Sequence, residues 1–220
     1  MEFILGVDAG STTTKAILMD HTSGRIAATC YLRTHGNPVQ AAFECIAGLQ
    51  GKIGGIRHRV VQAAVTGSGR EIVSVYLDNC AVFNEILARA RAARALLPEV
   101  DTLFEIGGQD AKFVALQDGI PVDYSMNDGC SAGTGSFLEE AASSDMQVPV
   151  GQVGPLALSS TSPIAFGERC AAFINSGVRS ALQQGVPSAD VLAGLVYAIV
   201  ENYLSRVVGA RQIGRTVVLQ

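Results

Sequence analysis

An acidic residue followed by a polar, glycine-containing turn stands near the start of this chain. Residues 3–9 are mostly apolar and include Asp8, and Gly10, Ser11 and Thr12 follow before a second apolar run. Two apolar runs joined by such a turn predict a β-hairpin. Gly10 permits a positive φ and a close backbone approach to a ligand, and successive N–H groups can form an anion-binding concavity. A neighbouring carboxylate suits hydrated Mg²⁺ on nucleotide phosphates. The segment alone is equally compatible with an ordinary hairpin with a polar tip.

The same pattern occurs a second time at residues 103–117, which read LFEIGGQDAKFVALQ. Both copies have an apolar run, an acid, one spacer, a glycine, a polar turn, and a lysine seven residues after the acid. An internal repeat predicts two similar supersecondary units. Moving the first copy by 97 positions, from residue 8 to residue 105, pairs Glu105 with Asp8, Gly107 with Gly10, and Lys112 with Lys15.

These two copies resemble the two phosphate motifs of the acetate kinase, sugar kinase, Hsp70 and actin superfamily. The motif NDxCxAGTG at residues 127–135, followed by GERCxxF at residues 167–173, resembles the BadF/BadG/BcrA/BcrD ATPase family. Its members are activators of 2-hydroxyacyl-CoA dehydratases and the ATPase subunits of benzoyl-CoA reductases. The resemblance covers essentially the whole chain, and the two-cysteine pattern is more specific than the phosphate motifs.

The resemblance implies an α/β fold of the acetate kinase/sugar kinase/Hsp70/actin (ribonuclease H-like) type, with ATP held between two related subdomains. We expect subdomain I at residues 1–99 and subdomain II at residues 100–220. In the family, a strand like the one expected at residues 216–220 leads into a glycine-glycine turn and helices that hold adenosine. We therefore expect an N-terminal part of a larger protein, an incomplete second subdomain, and weak ATP binding by these residues alone.

By resemblance, Asp8 orients Mg²⁺ or the attacking water, and Gly10, Ser11 and Thr12 hold the terminal phosphates. Gln109 and Asp110 position water or metal opposite the γ-phosphate, which is the positioning that phosphoryl transfer demands. The other expected nucleotide-binding residues of the second copy are Glu105, Gly107 and Gly108.

Three positions of these motifs differ from simple phosphate ligands. Glu105 stands where activators usually have aspartate, so its carboxylate lies one methylene further out and a different metal shell is expected. For Lys15 and Lys112, a strand lysine with its ammonium in water is the favoured interpretation over phosphate contact.

Two of the five cysteines occupy positions that favour thiolate. Cys130 lies in a glycine-rich loop before a helix, and Cys170 lies at a helix start 40 residues later. Without the resemblance, the favoured interpretation of Cys130 and Cys170 is two unrelated buried thiols, because the Cx₂C spacing of a self-contained metal site is absent. The resemblance instead implies a [4Fe–4S] cluster with four thiolates, two from each subunit of a homodimer. Cys30, Cys45 and Cys80 are assigned no role, as small buried hydrophobes.

The resemblance further implies a reaction sequence. Ferredoxin or flavodoxin reduces the cluster by one electron, MgATP hydrolysis to ADP rotates the subdomains, and the electron passes to an acyl-CoA dehydratase or reductase component. ATP can act only through different affinities for the two conformations. Two alternatives remain: a small-molecule kinase of the same superfamily, or a nucleotide-sensing module without redox chemistry.

Composition excludes several other classes. Hydrophobic residues make up 48% and charged residues 16%, which is typical of a globular protein. The net charge of −4 offers no basic field for nucleic acid. We expect no membrane span, because apolar runs stay short of the ~20 residues needed, and no signal peptide. Five cysteines without such a signal indicate a reducing cytoplasm.

The remaining elements follow from apolar periodicity and turn residues. A strand–helix–strand order predicts a βαβ unit in the first half. Residues 66–70 predict a glycine-rich loop, and residues 148–163 predict a longer loop region. Besides the two hairpins, strands are expected at 25–32, 60–65 and 120–126, and helices at 39–49, 83–97, 136–144, 170–184 and from about 191 to 208.

Overall fold

The computed structural model describes residues 1–54, 57–127, 131–167 and 170–220. These residues divide into two compact units, Met1–Ala92 and Ala93–Gln220. Each unit contains one mixed β-sheet with helices packed on it.

The first unit is built on a five-stranded sheet of order β3-β2-β1-β4-β5. Its strands are β1 (Glu2–Ala9), β2 (Thr13–Asp20), β3 (Ile26–Arg33), β4 (Arg59–Thr66) and β5 (Cys80–Val82). Its helices are α1 (Pro38–Ile53), α2 (Arg70–Ser74) and the start of α3 (Glu85–Leu96). The sequence did not predict α2 and β5, because elements of five and three residues are too short to show a period.

Period-two burial shows which face of β1, the central strand of this sheet, packs on the core. Phe3, Leu5, Val7 and Ala9 are buried, while the residues between them are more exposed. Helix α1 packs its buried face on the same core. It begins after Asn37, whose side chain accepts a hydrogen bond from the Gln40 amide at 3.0 Å. The hydrophobic core therefore holds the hairpin of β1 and β2 rigidly from one side.

The second unit repeats this plan in a four-stranded sheet of order β8-β7-β6-β9. Its strands are β6 (Thr102–Ile106), β7 (Ala111–Gln117), β8 (Ile120–Met126) and β9 (Val217–Leu219). Its helices are α4 (Gly135–Met146), α5 (Val150–Leu158), α6 (Ala171–Gln183) and α7 (Ser188–Asn202), with a 3-10 turn at Ser131–Gly133 and a π-helical segment at Tyr203–Val208.

Strand pairing confirms the repeat that the sequence predicts. The first hairpin, β1 with β2, and the second hairpin, β6 with β7, are both antiparallel. A later strand runs parallel to the leading strand of each, β4 beside β1 and β9 beside β6. In register, Asp8 faces Lys15 and Glu105 faces Lys112. The acids and lysines of the two sequence copies therefore occupy equivalent places.

The predicted loop at residues 148–163 is wrong for part of its length, because Val150–Leu158 forms α5. Pro149 precedes the helix and Pro155 lies inside it. Val153 is buried in the core of the second unit, and Leu156 packs against that core. Tertiary burial of this apolar face outweighs the hydrogen bond lost at the internal proline.

The predicted long apolar helix is confirmed as α7 with its π-helical continuation. Among the described residues, one helix, Ser188–Val208, is long and apolar enough to cross a membrane. Of an apolar 18-residue stretch of this helix, 61% is buried inside the protein. The core helix of a globular domain passes the same test. Here that helix forms the centre of the second unit's core.

Candidate functional site

The turn of the first hairpin is closed by the Gly10 amide, which donates to the Thr13 carbonyl oxygen at 3.0 Å. A Cβ at Gly10 would lie 2.7 Å from that oxygen, so only glycine fits. Gly10 does not adopt a positive φ. The glycine is therefore required by this close approach and not, as the sequence also suggested, by a left-handed backbone.

Asp8 lies at the carboxyl end of β1, beside a glycine-rich loop that follows β4. Its Oδ2 is 3.3 Å from Lys15 Nζ, and its side chain is 27% exposed. Gly67 has a φ of +91°, and a Cβ there would lie 2.6 Å from Asp8 Oδ1. Gly69 donates to the Ala9 carbonyl oxygen at 2.8 Å. The sequence showed this loop but gave it no role; its glycines allow it to line the Asp8 carboxylate.

A buried threonine, Thr34, also holds the turn of the first hairpin through two hydrogen bonds. Thr34 Oγ1 donates to the Gly10 carbonyl oxygen at 2.8 Å, and the Thr34 amide donates to Thr12 at 3.0 Å. Ser11 stays exposed and Thr12 is half-buried. The turn is thus fixed from within the fold, while its outer residues remain accessible to an anion.

The second hairpin closes in the same way. The Gly107 amide donates to the Asp110 carbonyl oxygen at 2.9 Å, and a Cβ at Gly107 would lie 2.8 Å from that oxygen. Gln109 is exposed, and Asp110 and Gly108 are half-buried. The two turns therefore share one geometry, with their polar side chains accessible at the tips.

The lysines of the two hairpins have different environments. Lys112 is 2% exposed, so the expectation of an ammonium in water is wrong for it. Its Nζ lies 3.5 Å from Glu105 Oε1 and 3.8 Å from Asp110 Oδ2. Lys15 keeps 35% of its side chain exposed and also lies 5.6 Å from the centre of the Tyr31 ring. The main chain of Lys112 is also held by the helical part of the second unit, since Tyr203 Oη donates to its carbonyl oxygen at 2.8 Å.

The segment that carries Cys130 is tied to the second hairpin before and after that cysteine. Before it, Asn127 Oδ1 accepts from the Ala111 amide at 2.8 Å. After it, the Gly135 amide donates to the Gly107 carbonyl oxygen, and the Ser136 amide donates to that of Gly108, both at 2.9 Å. Asn127 and Gly135 were visible in the cysteine motif, but nothing in their spacing indicated these partners.

Only one of the two predicted cluster cysteines can be placed. Cys170 is partly exposed at the N-cap position of α6, with its thiol free. Cys130 lies outside the described residues, as do Asp128, Gly129, Glu168 and Arg169. Within the ranges that the structure describes, no group of three or more His, Cys, Asp or Glu side chains could hold a metal ion. A site made by this chain alone is thus not formed among those residues.

An exposed aromatic residue lies one helical turn from Cys170. Phe173 is 67% exposed. It lines an open groove of about 270 Å³ together with Phe166 and Gly177. Large exposed aromatic side chains are typical of interfaces. The start of α6 therefore combines an accessible thiol with an apolar surface.

The other thiols lie in the first unit. Cys45 is fully buried, and desolvation, followed by a contact with the Cys30 thiol, raises its pKa to about 12. Burial also raises the pKa of the Cys80 thiol. Metals bind thiolate rather than thiol. Cys45 and Cys80 are therefore poor metal ligands at neutral pH.

Comparisons with known proteins match nearly the whole chain. The model of the BadF/BadG/BcrA/BcrD ATPase family matches residues 5–220. The 2-hydroxyisocaproyl-CoA dehydratase activator of Clostridioides difficile is 30% identical over 206 residues, which are 93% of this chain and 75% of that protein. The (R)-2-hydroxyglutaryl-CoA dehydratase activating ATPase of Acidaminococcus fermentans is 30% identical over 215 residues, 96% of this chain and 78% of that protein.

The fold matches as well as the sequence does. A solved structure of the activator of the 2-hydroxyisocaproyl-CoA dehydratase from Clostridium difficile, with bound ADPNP, superimposes with a TM-score of 0.89. The two chains are 29% identical, and the match covers 99% of this chain and 79% of that one. Both units are therefore included in the similarity.

Proposed function

This chain belongs to the BadF/BadG/BcrA/BcrD ATPase family, and from that premise we propose that it is an ATP-hydrolysing iron–sulfur activator. It has the α/β fold of the acetate kinase, sugar kinase, Hsp70 and actin superfamily, and it is an ATPase. Its proposed role is to deliver a low-potential electron to a partner of the 2-hydroxyacyl-CoA dehydratase or benzoyl-CoA reductase type. Two relatives named as dehydratase activators support this assignment.

The residues of the first hairpin fit Mg²⁺ and the terminal phosphates of ATP. Asp8 is an accessible carboxylate, and carboxylates together with phosphates are the usual ligands of hydrated Mg²⁺. Gly10 allows the turn to close without a Cβ, while Ser11 and Thr12 present accessible groups at its tip. In the proposed function Asp8 orients Mg²⁺ or the attacking water, and the three turn residues hold phosphate.

The residues of the second hairpin fit the positioning of water. Gln109 is exposed and the Asp110 side chain is 43% exposed, so both can reach a water or metal ion at the γ-phosphate. Gly107 and Gly108 bring the backbone of the turn close to phosphate. The carboxylate of Glu105 is instead buried against the ammonium of Lys112.

The proposed [4Fe–4S] cluster is held by Cys130 and Cys170 of each of two subunits, and when bound it supplies a store for one electron. Four thiolates are needed and one chain offers two, so a two-fold homodimer completes the set. Cys170 fits, because its thiol is free and lies at the start of a helix. The exposed Phe173 beside it fits a subunit interface.

The observation that carries the coupling of ATP to the cluster is the attachment of the Cys130 segment to the second hairpin. Asn127 and Gly135 flank this segment in sequence, and both are hydrogen-bonded to residues of that hairpin. A change of the turn on phosphate loss displaces both flanking residues. ATP can then act on the segment that carries Cys130 through these hydrogen bonds, provided that it binds the two conformations with different affinity.

The proposed setting follows from this chemistry. Reduced ferredoxin or flavodoxin is the proposed electron donor, since each delivers single electrons at low potential. The cytoplasm is the proposed compartment, because its reducing poise keeps thiols available as ligands.

Anaerobic purification tests the proposed function. From the intact protein we expect a brown dimer that contains two iron atoms per chain and hydrolyses ATP in the presence of Mg²⁺. Its iron should be reduced by ferredoxin or flavodoxin. A colourless, iron-free ATPase would refute the redox role and favour the kinase or the nucleotide-sensing alternative. An iron-loaded monomer would refute the shared cluster.

A further inference from the structure

A lysine ammonium is buried between two carboxylates at the base of the second turn. Lys112 Nζ lies 3.5 Å from Glu105 Oε1 and 3.8 Å from Asp110 Oδ2. The side chains of Lys112 and Glu105 are 3% and 6% exposed, whereas that of Asp110 is 43% exposed. A buried charge is tolerated only when it is paired. The ammonium therefore joins one buried carboxylate to one accessible carboxylate.

The matching lysine of the first hairpin does not have this arrangement. Lys15 faces Asp8 in the same register, but its side chain is 35% exposed. Lys15 forms an ion pair with Asp8, the acid across the hairpin, at 3.3 Å. Asp8 can therefore exchange its lysine for a metal ion at little cost, because water reaches both groups. The same exchange at Glu105 would leave a charge buried, so the two acids have different roles.

The strand that carries Lys112 is fixed by a second contact. Tyr203 Oη donates to the Lys112 carbonyl oxygen at 2.8 Å, and Tyr203 is 2% exposed. Its ring packs on Phe104 with centroids 5.2 Å apart. Both the main chain and the ammonium of Lys112 are thus held in place, which makes it a rigid support for the turn.

We propose that Lys112 is a positioning residue for ATP hydrolysis, whose buried ammonium is held by Glu105 and fixes the carboxylate of Asp110. This inference deepens the proposed function and rests on it. Asp110 already closes the turn through its carbonyl oxygen, which accepts from Gly107. The ammonium restrains its side chain as well, so that the carboxylate meets the reacting water in one orientation. Glu105 acts through Lys112 and not as a ligand of the nucleotide.

Three variants test the role of Lys112: Lys112→Met, the double variant Lys112→Met/Glu105→Gln, and Lys52→Met as a matched control. Lys52 is exposed near the end of α1, and its ammonium donates to the Thr29 carbonyl oxygen at 2.6 Å. Lys112→Met leaves the Glu105 charge buried without its ammonium and should lower the unfolding midpoint. Glu105→Gln removes that charge, so the double variant should regain the midpoint. Each protein is assayed for kcat, KM, and ATP affinity by calorimetry with Mg²⁺.

If Lys112 is a positioning residue, the double variant should keep its ATP affinity but lose kcat. The double variant should bind ATP within about threefold of the wild type. The kcat of the double variant should remain about 10- to 100-fold below that of the wild type, because the Asp110 carboxylate is no longer restrained. Adding Asp110→Asn should lower kcat by a smaller factor in the double variant than in the wild type, since part of the effect of Asp110 depends on its contact with Lys112. Lys52→Met should match the wild type in every assay.

Recovery of the wild-type kcat in the double variant would overturn the inference, because Lys112 would then serve folding alone. An unchanged kcat in Lys112→Met would overturn it too. Absence of ATP hydrolysis by the wild-type protein would instead refute the proposed function itself, and the positioning role with it.

Discussion

The amide of Gly135 donates a 2.9 Å hydrogen bond to the carbonyl oxygen of Gly107, joining the first residue of α4 to the turn of the second hairpin. The Ser136 amide makes the equivalent bond to Gly108. The orphan N–H groups at a helix start are thus satisfied by the phosphate turn itself. A shift of this turn must therefore move the start of α4 or break both bonds.

Gly135→Ala should weaken this connection. A Cβ at Gly135 would lie 3.3 Å from the Gly107 carbonyl oxygen, so the turn must move away by a few tenths of an ångström. ATP binding should persist, but the ATP-dependent change in the rate at which a chelator removes iron should shrink. The control is Gly151→Ala near the start of α5, where a Cβ meets nothing within 4 Å. An unchanged nucleotide response in Gly135→Ala would contradict the coupling.

Asp8→Ala should abolish ATP hydrolysis and leave the fold intact. The Asp8 carboxylate is partly exposed and paired with Lys15, so its loss leaves no deeply buried charge. A steady-state assay should show a rate reduced by about 100-fold or more. The control is Asp20→Ala at the far end of β2, where the carboxylate bonds Ser23. A normal rate in Asp8→Ala, with circular dichroism unchanged, would show that the phosphate site lies elsewhere.

Cys170→Ala and Cys130→Ala should each lose the absorption of the [4Fe–4S] centre. Each removes two of the four thiolates from a dimer, and iron content and dimerisation should fall together, since a metal that binds only the assembled state stabilises it. Oxygen should bleach the wild type. Cys30→Ala, Cys45→Ala and Cys80→Ala should keep the absorption. Full iron content in Cys170→Ala would be incompatible with the shared cluster.

Acid stability should depend on Asp190, at the start of α7. Its carboxylate accepts from Ser160 Oγ at 2.6 Å, from the Ser162 amide at 3.0 Å and from the Thr161 amide at 3.1 Å. The Ser160 hydroxyl first, and then the Ser162 amide, lower the pKa of Asp190 below its ordinary value of 3.8. This stabilisation is present above about pH 4 and is lost as pH falls through the lowered pKa.

Asp190→Asn should therefore lower the urea midpoint at neutral pH and make the decline of that midpoint below about pH 4 shallower. The control is Asp123→Asn, which removes a surface ion pair with Arg211. Such pairs contribute little, so its midpoint should stay close to that of the wild type. A wild-type acid profile in Asp190→Asn would show that the loop at 160–162 is held by other contacts.

The sequence predicted the two hairpins because every signal for them is local. Period-two burial along β1 and a glycine turn define the strands and their register, so the pairing of Asp8 with Lys15 follows from the turn length. The second hairpin repeats these signals, and its pairing of Glu105 with Lys112 follows in the same way. The cysteine motif predicted the family, although Cys130 lies outside the described residues.

Tertiary structure alone decided what surrounds those hairpins. Lys15 and Lys112 occupy the same place in two copies of one motif, yet the first is partly exposed and the second is buried. The Lys112 carbonyl oxygen also accepts a hydrogen bond from Tyr203, 91 positions later in the chain. The bond from Gly135 to Gly107 is equally invisible in the spacing of residues. Periodicity fixes which face of an element is apolar, but not which distant element covers it. The environment of each lysine, and hence its chemistry, was therefore set by packing between residues far apart in sequence.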